Sequence, residues 1–403
     1  MSSAVDTAEK YPTLTVSTYV ERAAKTDRGV ESQSLAFPLL GLFGETGSLL
    51  SALKKKQRDH ASSVAYSEEV AEELGDVLWY LATIARRGGL QLSAVAGHLY
   101  RRDEAWLDKP DDELTFEALQ PHQIIRAAAP IPQFEETLLA LAAEVGAAVS
   151  DHQSGAFSDQ VALAKRLLSI FTLVLRASRE AGLTLEGAAL KNLHKIAGRW
   201  PEQRVYPPHS DDTRDPDERL PRLMVIDVFE KPVGGRPFVF QRCNDLFIGD
   251  RLTDNSHEPD DYRFHDVFHY AFVAVLGWSP VVRSLLRLKR KSDSKLDETE
   301  DGARAILIEE GISTWVFGQA RPLDYFRDIK RGQIPIDLLK QIHQFVEGYE
   351  PRDYPLWMWE EALLQGYAAF RFLQEHRRGR VTIDFANRQL RIEPLAHDPG
   401  RFY

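Results

Sequence analysis

The chain carries one cysteine, Cys243, in 403 residues. A single thiol excludes an internal disulfide and a cysteine-based zinc cluster. Positive charge is also short: 50 Lys and Arg stand against 60 Asp and Glu, a net charge of −10. That balance argues against wrapping nucleic acid by general electrostatics, so no general nucleic-acid binding is expected. No apolar run reaches the ~18 residues a membrane span needs. The N-terminal "MSSAVDTAEKYPTLTVSTYV" lacks the basic-then-apolar order of a signal peptide. The expectation is a soluble, cytoplasmic protein with no membrane partner. There is no P-loop, dinucleotide fingerprint or serine nucleophile elbow, and the two glycines of "GETGS" are not followed by the Lys-Ser/Thr of a phosphate cradle. An acidic chain can still handle phosphorylated small molecules if carboxylates hold a divalent cation.

What is present is helical periodicity. Single domains usually hold ~100–150 residues, so two or three folded units are expected. The first spans 12–106, with "SEEVAEELGDVLWYLATIARRGG" the clearest helix, stopping at Gly88-Gly89 after Arg86-Arg87. Residues 107–133, rich in proline and acids, read as a linker; helical pattern returns over 134–204; and 205–218 reads as a second linker. From 219 to 403 the pattern is mostly helical, with edge strands at "RLMVIDVFE" and "RPFVFQRC" and a closing hairpin at "GRVTIDFANRQLRIEP" around Asn387. The expected fold class is therefore mainly α.

The two helical stretches repeat one another. "LLGLFGETGSLL" lies over "LLALAAEVGAAV", setting Glu45 over Glu144 and Ser48 over Ala147. "VAEELGDVLWYLATIARRGGLQL" lies over "LAKRLLSIFTLVLRASREAGLTL" without a gap, setting Glu73 over Arg166 and Asp76 over Ser169. "HLYRRDEAW" pairs with "NLHKIAGRW", setting His98 over Asn192 and Arg101 over Lys195. Apolar positions are shared while the acids survive in one copy, as a duplication with one degenerate half would leave them.

Residues three or four apart share a helix face, so Glu69, Glu73 and Asp76 make one acidic stripe opposite Val70, Leu74, Val77, Leu78 and Leu81. Glu45, from the preceding helix, would complete a cradle for a hard cation such as Mg²⁺. The bland alternative is a solvated helix face. The order "LLGLFGETGSLL", "EELGDVLWYLA", "GLQLSAV" resembles the MazG-type, all-α nucleoside triphosphate pyrophosphohydrolases, whose signature is E-x-x-E, a spacer, then E-x-x-D. The resemblance covers 35–106 and, through the repeat, 134–200 more weakly, so it implies a tandem MazG-like bundle with a pseudo-dimeric four-helix core. It further implies cleavage of a (d)NTP to (d)NMP and pyrophosphate with Mg²⁺ or Mn²⁺ on Glu45, Glu73 and Asp76. Ser48 departs from the signature where a second Glu belongs, and Glu69 is the acid on hand to replace it. "KNLHKIAGRW" resembles the Asn and Lys segment near the end of such domains: Asn192 could bond a base or sugar, and Lys195 and Arg199, four apart, could reach phosphate. Such units usually need a partner half, from the internal repeat or from a homo-oligomer.

In the last unit "FHDVFHYAF" sets His265 and His269 on one helical face with Asp266 beside them, a spacing that suits a transition metal such as Zn²⁺ or Mn²⁺. Glu309 or Glu310, and Glu360 or Glu361, could complete a site of His265, His269, Glu310 and Glu361. No H-E-x-x-H motif is present, and a satisfied core histidine pair is the plain alternative. The basic run "RSLLRLKRKSDSK" reads as solvated surface. Beside the pyrophosphohydrolase reading stand two others: a nucleotide-sensing module without turnover that controls the last unit, and a metal-dependent hydrolase whose site lies in that unit.

Overall fold

The computed structural model describes residues 13–27, 34–60, 65–101, 110–120 and 132–396. The chain divides into two compact units, 1–202 and 203–403.

The first unit is helical: α1 (Val16–Ala24), α2 (Ala36–Asp59), α3 (Tyr66–Arg87), α4 (Leu92–Arg101), α5 (Phe116–Leu119), α6 (Pro132–Gln153), α7 (Gln160–Glu180) and α8 (Leu185–Arg199). Capping fixes several starts: the hydroxyls of Thr15 and Thr184 and the carboxylate of Asp159 accept from Thr18, Gly187 and Val161 N–H groups. α3 carries Glu68 and Glu69 in its first turn and Arg86 and Arg87 in its last, each sign at the dipole end that favours it. The apolar stripe expected on α3 is buried at Val70, Leu74, Val77, Leu78 and Leu81. It joins Leu42 and Leu49 of α2, Leu138 and Leu141 of α6, and Leu167, Ile170 and Phe171 of α7 in one core. Packing is reciprocal: α2 lies on α3 and α6, α6 on α7, α3 on α8, and α4 on α7. α2 is long and apolar enough in composition to cross a membrane, but its apolar side belongs to this core.

Part of the first expected linker is packed rather than loose: Phe116 is buried, and Gln120 donates to Ser178 and accepts from the Leu185 N–H. Residues 102–109 and 121–131 lie outside the described residues.

The second unit holds a five-stranded antiparallel sheet in the order β3-β2-β1-β4-β5, with β1 (Leu223–Val233), β2 (Arg236–Cys243), β3 (Leu246–Phe247), β4 (Arg378–Asp384) and β5 (Gln389–Glu393). The strands expected at the two ends of this unit are thus one sheet: β1 pairs with both β2 and β4, Ile226 lying between Cys243 and Val381. The expected hairpin is β4–β5, with Asn387 bonded to Asp384 in its turn. The helices are α9 (Asp266–Ala271), which runs into a π-helical turn over Phe272–Leu276, α10 (Pro280–Leu285), α11 (Ser294–Thr299), α12 (Ala303–Ala320), α13 (Ile336–Phe345) and α14 (Leu356–His376). α14 packs along α9 and the π turn. A Cβ on its Gly366 would stand 3.1 Å from Ala271 Cβ, so the missing side chain permits that approach.

Two expectations are corrected here. The segment 205–218 is folded into the second unit: buried Asp211 accepts from the Leu220 N–H at 2.7 Å and from Arg222 at 2.8 Å, and Arg388 donates to Pro207 O. Its proline and aspartate content marks irregular backbone, not independence. The basic run is not wholly solvated either, because Arg283 and Arg290 are buried among Asp211, Asp301 and Glu350. A buried guanidinium persists where carboxylates satisfy its donors.

Candidate active site

The long helices α2 and α3 pack together so that Glu45, Glu73 and Asp76 each turn a carboxyl oxygen to one point, all within 4.8 Å of one another. All three are half-buried. Burial, a hydrogen bond from the protonated Glu73 carboxyl to Glu45, and the charges of Glu45, Asp76 and Glu72 push the Glu73 carboxyl from its usual value up to about 8. Acids crowded at this cost suit a divalent cation, since a cation would replace the repulsion with attraction and supply the hard oxygen coordination it prefers. Glu69, one turn earlier on the stripe, is not among the three carboxyls that converge. Ser48 follows Glu45 by one turn of α2 and is half-buried.

α8 completes the site from the other half of the unit. Asn192 donates from Nδ2 to Asp76 Oδ1 at 2.8 Å, while its own Oδ1 accepts from the buried Tyr19 hydroxyl at 3.0 Å. Lys195 Nζ donates to Asp76 Oδ1 at 2.5 Å and to Glu72 at 3.2 Å. Burial works against the lysine charge, but Asp76 and Glu72 outweigh it, so the ammonium stays protonated. This approach depends on Gly75, where a Cβ would sit 2.6 Å from Ala188 O and 2.9 Å from Asn192 Cβ. Arg199 is buried, with its guanidinium over the Trp200 ring. Tyr19 went unnoticed in the sequence because nothing in "VSTYVERAA" marks it. Its partners lie in α3 and α8.

At the positions that the internal alignment sets over Glu45 and Glu73, Glu144 and Arg166 form an ion pair at 2.5 Å, and Arg166 also binds Asp151 at 2.9 Å. The second half therefore closes with an arginine where the first half gathers acid.

In the second unit, His265, Asp266 and His269 present ligating atoms within 4.8 Å of one another, and Glu310 Oε2 lies 3.8 Å from His265 Nε2 and 3.5 Å from His269 Nε2. Glu361, expected in this group, is elsewhere engaged: Arg204 and Arg331 each hold its carboxylate at 2.8 Å. They share a cavity of about 530 Å³ lined also by Tyr206, Gln365 and Arg388. A helix-face argument could not choose between Glu361 and its neighbours, because the arginines that claim it are distant in sequence.

Three carboxyls gathered from two packed helices of an all-helical unit make the kind of oxygen donor set that suits a hard divalent cation. Comparison with known proteins narrows the chemistry. Residues 33–102 match the MazG nucleotide pyrophosphohydrolase domain, and residues 205–396 match the MazG C-terminal domain. The family that the first segment matches is one of hydrolases that act on phosphoanhydride bonds. The unit expected as a helical domain of unknown role thus matches the MazG C-terminal domain, from a start ahead of 219. The Gene 37 protein of Mycobacterium phage L5 is 34% identical over 65 residues, 16% of this chain and 57% of that protein. The chain thus spans little more than half the length of that relative. No solved structure matches the chain.

Proposed function

We propose that this protein is a Mg²⁺-dependent nucleoside triphosphate pyrophosphohydrolase that converts a (d)NTP and water to a (d)NMP and pyrophosphate. The observation that carries the reading is the meeting of Glu45, Glu73 and Asp76 within 4.8 Å, inside the segment that matches the MazG nucleotide pyrophosphohydrolase domain. An all-oxygen donor set favours Mg²⁺ or Mn²⁺ over softer ions. Bound there, the cation would supply charge neutralisation and Lewis-acid polarisation at a phosphoryl oxygen.

The remaining work falls to this chain's own side chains. Glu45, Glu73 and Asp76 would hold that cation and through it set where a negative phosphate can sit. Asn192, held by Tyr19, fixes the direction of the Asp76 carboxylate. Lys195 carries a positive charge to the edge of the cluster and can pass from Asp76 to a phosphate oxygen when substrate arrives. The second helical half, α6–α8, is read as a degenerate MazG-like copy that closes the four-helix core and supplies Asn192 and Lys195 in place of catalytic acids. Its reciprocal packing and the Glu144–Arg166 pair support this.

The test is pyrophosphate release from the common ribo- and deoxyribonucleoside triphosphates with Mg²⁺ or Mn²⁺, wild type beside Glu73→Ala. Release that falls at least ~10²-fold in the variant is expected. Nucleotide binding by calorimetry with no product from any substrate would move the protein to the sensing reading, and full activity in Glu73→Ala would displace the site.

A further inference from the structure

We propose that His265, Asp266, His269 and Glu310 form a second metal site, specific for a first-row divalent transition metal such as Zn²⁺ or Mn²⁺, within the MazG C-terminal domain. Each histidine is held with its Nε2 toward the cluster. His265 Nδ1 lies 2.9 Å from the Tyr262 carbonyl oxygen, which can only accept, so that nitrogen carries the proton. The Tyr262 ring stacks on the imidazole, centroids 4.4 Å apart and planes within 2°. His269 Nδ1 lies 2.8 Å from Glu309 Oε1. That carboxylate is pinned in turn by the Ser279 hydroxyl at 2.7 Å and the Val281 N–H at 2.8 Å. A histidine bonded to a fixed carboxylate or carbonyl through one nitrogen, with the other aimed at a common point, is the usual support for a ligating imidazole.

The aimed nitrogens then need an occupant. His269 is fully buried, and its Nε2 has no hydrogen-bond partner. His265 Nε2 faces Asp266 Oδ1 at 3.1 Å and Glu310 Oε2 at 3.8 Å. Left neutral, the imidazoles would point lone pairs at Asp266 and Glu310, a conflict that either a proton on His269 Nε2 or a bound metal relieves. A cation between them removes that conflict. Ligands bound at ~2.1 Å to one ion stand roughly 3.0–4.2 Å apart, and the separations of 3.1, 3.5 and 3.8 Å fall in that range. Two imidazoles with two carboxylates suit Zn²⁺, Mn²⁺ or Fe²⁺ better than Mg²⁺, which separates this site chemically from the all-oxygen cluster of the first unit. Glu310 is 38% exposed, so the site has a solvent side on which a further ligand could enter. The competing occupant is a proton shared between His269 and Glu310.

The inference does not depend on the nucleotide site, and the test isolates it by using the full chain with Glu73→Gln as background. Chelator-treated protein is loaded with Co²⁺ or Zn²⁺, desalted, and measured by elemental analysis and by the Co²⁺ visible spectrum. One retained equivalent is expected, with a spectrum showing nitrogen ligation. Glu310→Gln and His265→Gln should lose it, and Glu309→Gln, which alters only the support of His269, should weaken Co²⁺ binding ~10–100-fold. Because His269 variants risk misfolding, the half-exposed Glu310 is the deciding position: its variant should keep the chelator-treated melting temperature and lose the metal-dependent rise. Absence of a retained equivalent in the background protein, or equal retention in Glu310→Gln and His265→Gln, would overturn the site and leave a buried proton-sharing pair.

Discussion

Asn192 Nδ2 bonds Asp76 Oδ1 at 2.8 Å, and one turn on, Lys195 Nζ reaches the same oxygen at 2.5 Å. α8 therefore delivers a positive charge onto an acid that the cation would also want. Two positive groups compete for Asp76, so Lys195→Met should tighten Mg²⁺ binding several-fold in the absence of nucleotide. The same change should raise KM for the triphosphate, because the ammonium is lost as a phosphate contact. Calorimetric titration with Mg²⁺ and steady-state kinetics read the two effects separately; if neither moves, Lys195 is only a structural ion pair.

Glu73 sets a pH dependence. Burial first, then the neighbouring acids, raises its carboxyl to about 8 from an unfolded value of 4.5. Between those values the native state holds a proton that the unfolded chain has released. The unfolded state binds fewer protons there, and the stability contributed at this position falls as pH rises through the window. Chelator-treated protein should therefore lose melting temperature between pH 5 and 8, and Mg²⁺ should restore more of it at pH 8 than at pH 5, where protons compete for the carboxylates. Glu73→Gln should flatten the curve. A wild-type curve already flat in chelator would contradict the crowding of these three acids.

Much of this was legible in the residues, and what was not has a common cause. The spacing of Glu69, Glu73 and Asp76 fixes a shared face, but only the packing of α2 on α3 decides that Glu45, Glu73 and Asp76 converge and Glu69 does not. Asn192 and Lys195 announced a polar helix face; their target, Asp76, lies more than a hundred residues away. Arg199 shares a face with Lys195 by count, but its burial and its place over the Trp200 ring were not readable from that count. His265, His269 and Glu310 come together while Glu361 is taken by Arg204 and Arg331. Periodicity names faces, whereas sites are made by which faces meet.

Gly75 tests how tightly that meeting is set. A Cβ there would press on Ala188 O at 2.6 Å, and a backbone atom cannot rotate away as a side-chain tip can. Gly75→Ala should cost ~1–3 kcal/mol through the forced separation of α3 and α8. The displaced α8 carries Asn192 and Lys195, so KM for the triphosphate should rise at temperatures where the variant remains fully folded by circular dichroism. Gly146 offers a control on α6, since a Cβ there meets nothing within 4 Å and Gly146→Ala should leave both quantities unchanged or slightly stabilise the helix.

Ser48 is the position where the acid signature is incomplete. It follows Glu45 by three residues on α2, so a carboxylate placed there shares its face. Without metal, Ser48→Glu adds like charge to a cluster that already drives Glu73 up to about 8, and should destabilise the protein by roughly 0.2–0.5 kcal/mol if the charge stays at the helix surface. With Mg²⁺ the sign reverses, because an added oxygen ligand raises both the charge and the number of donors offered to a hard cation. The expected result is a lower melting temperature than wild type in chelator and a higher one in saturating Mg²⁺, with tighter Mg²⁺ binding by calorimetry. A variant that shifts the same way under both conditions would place Ser48 outside the cation's reach and make its serine an ordinary residue of the helix surface.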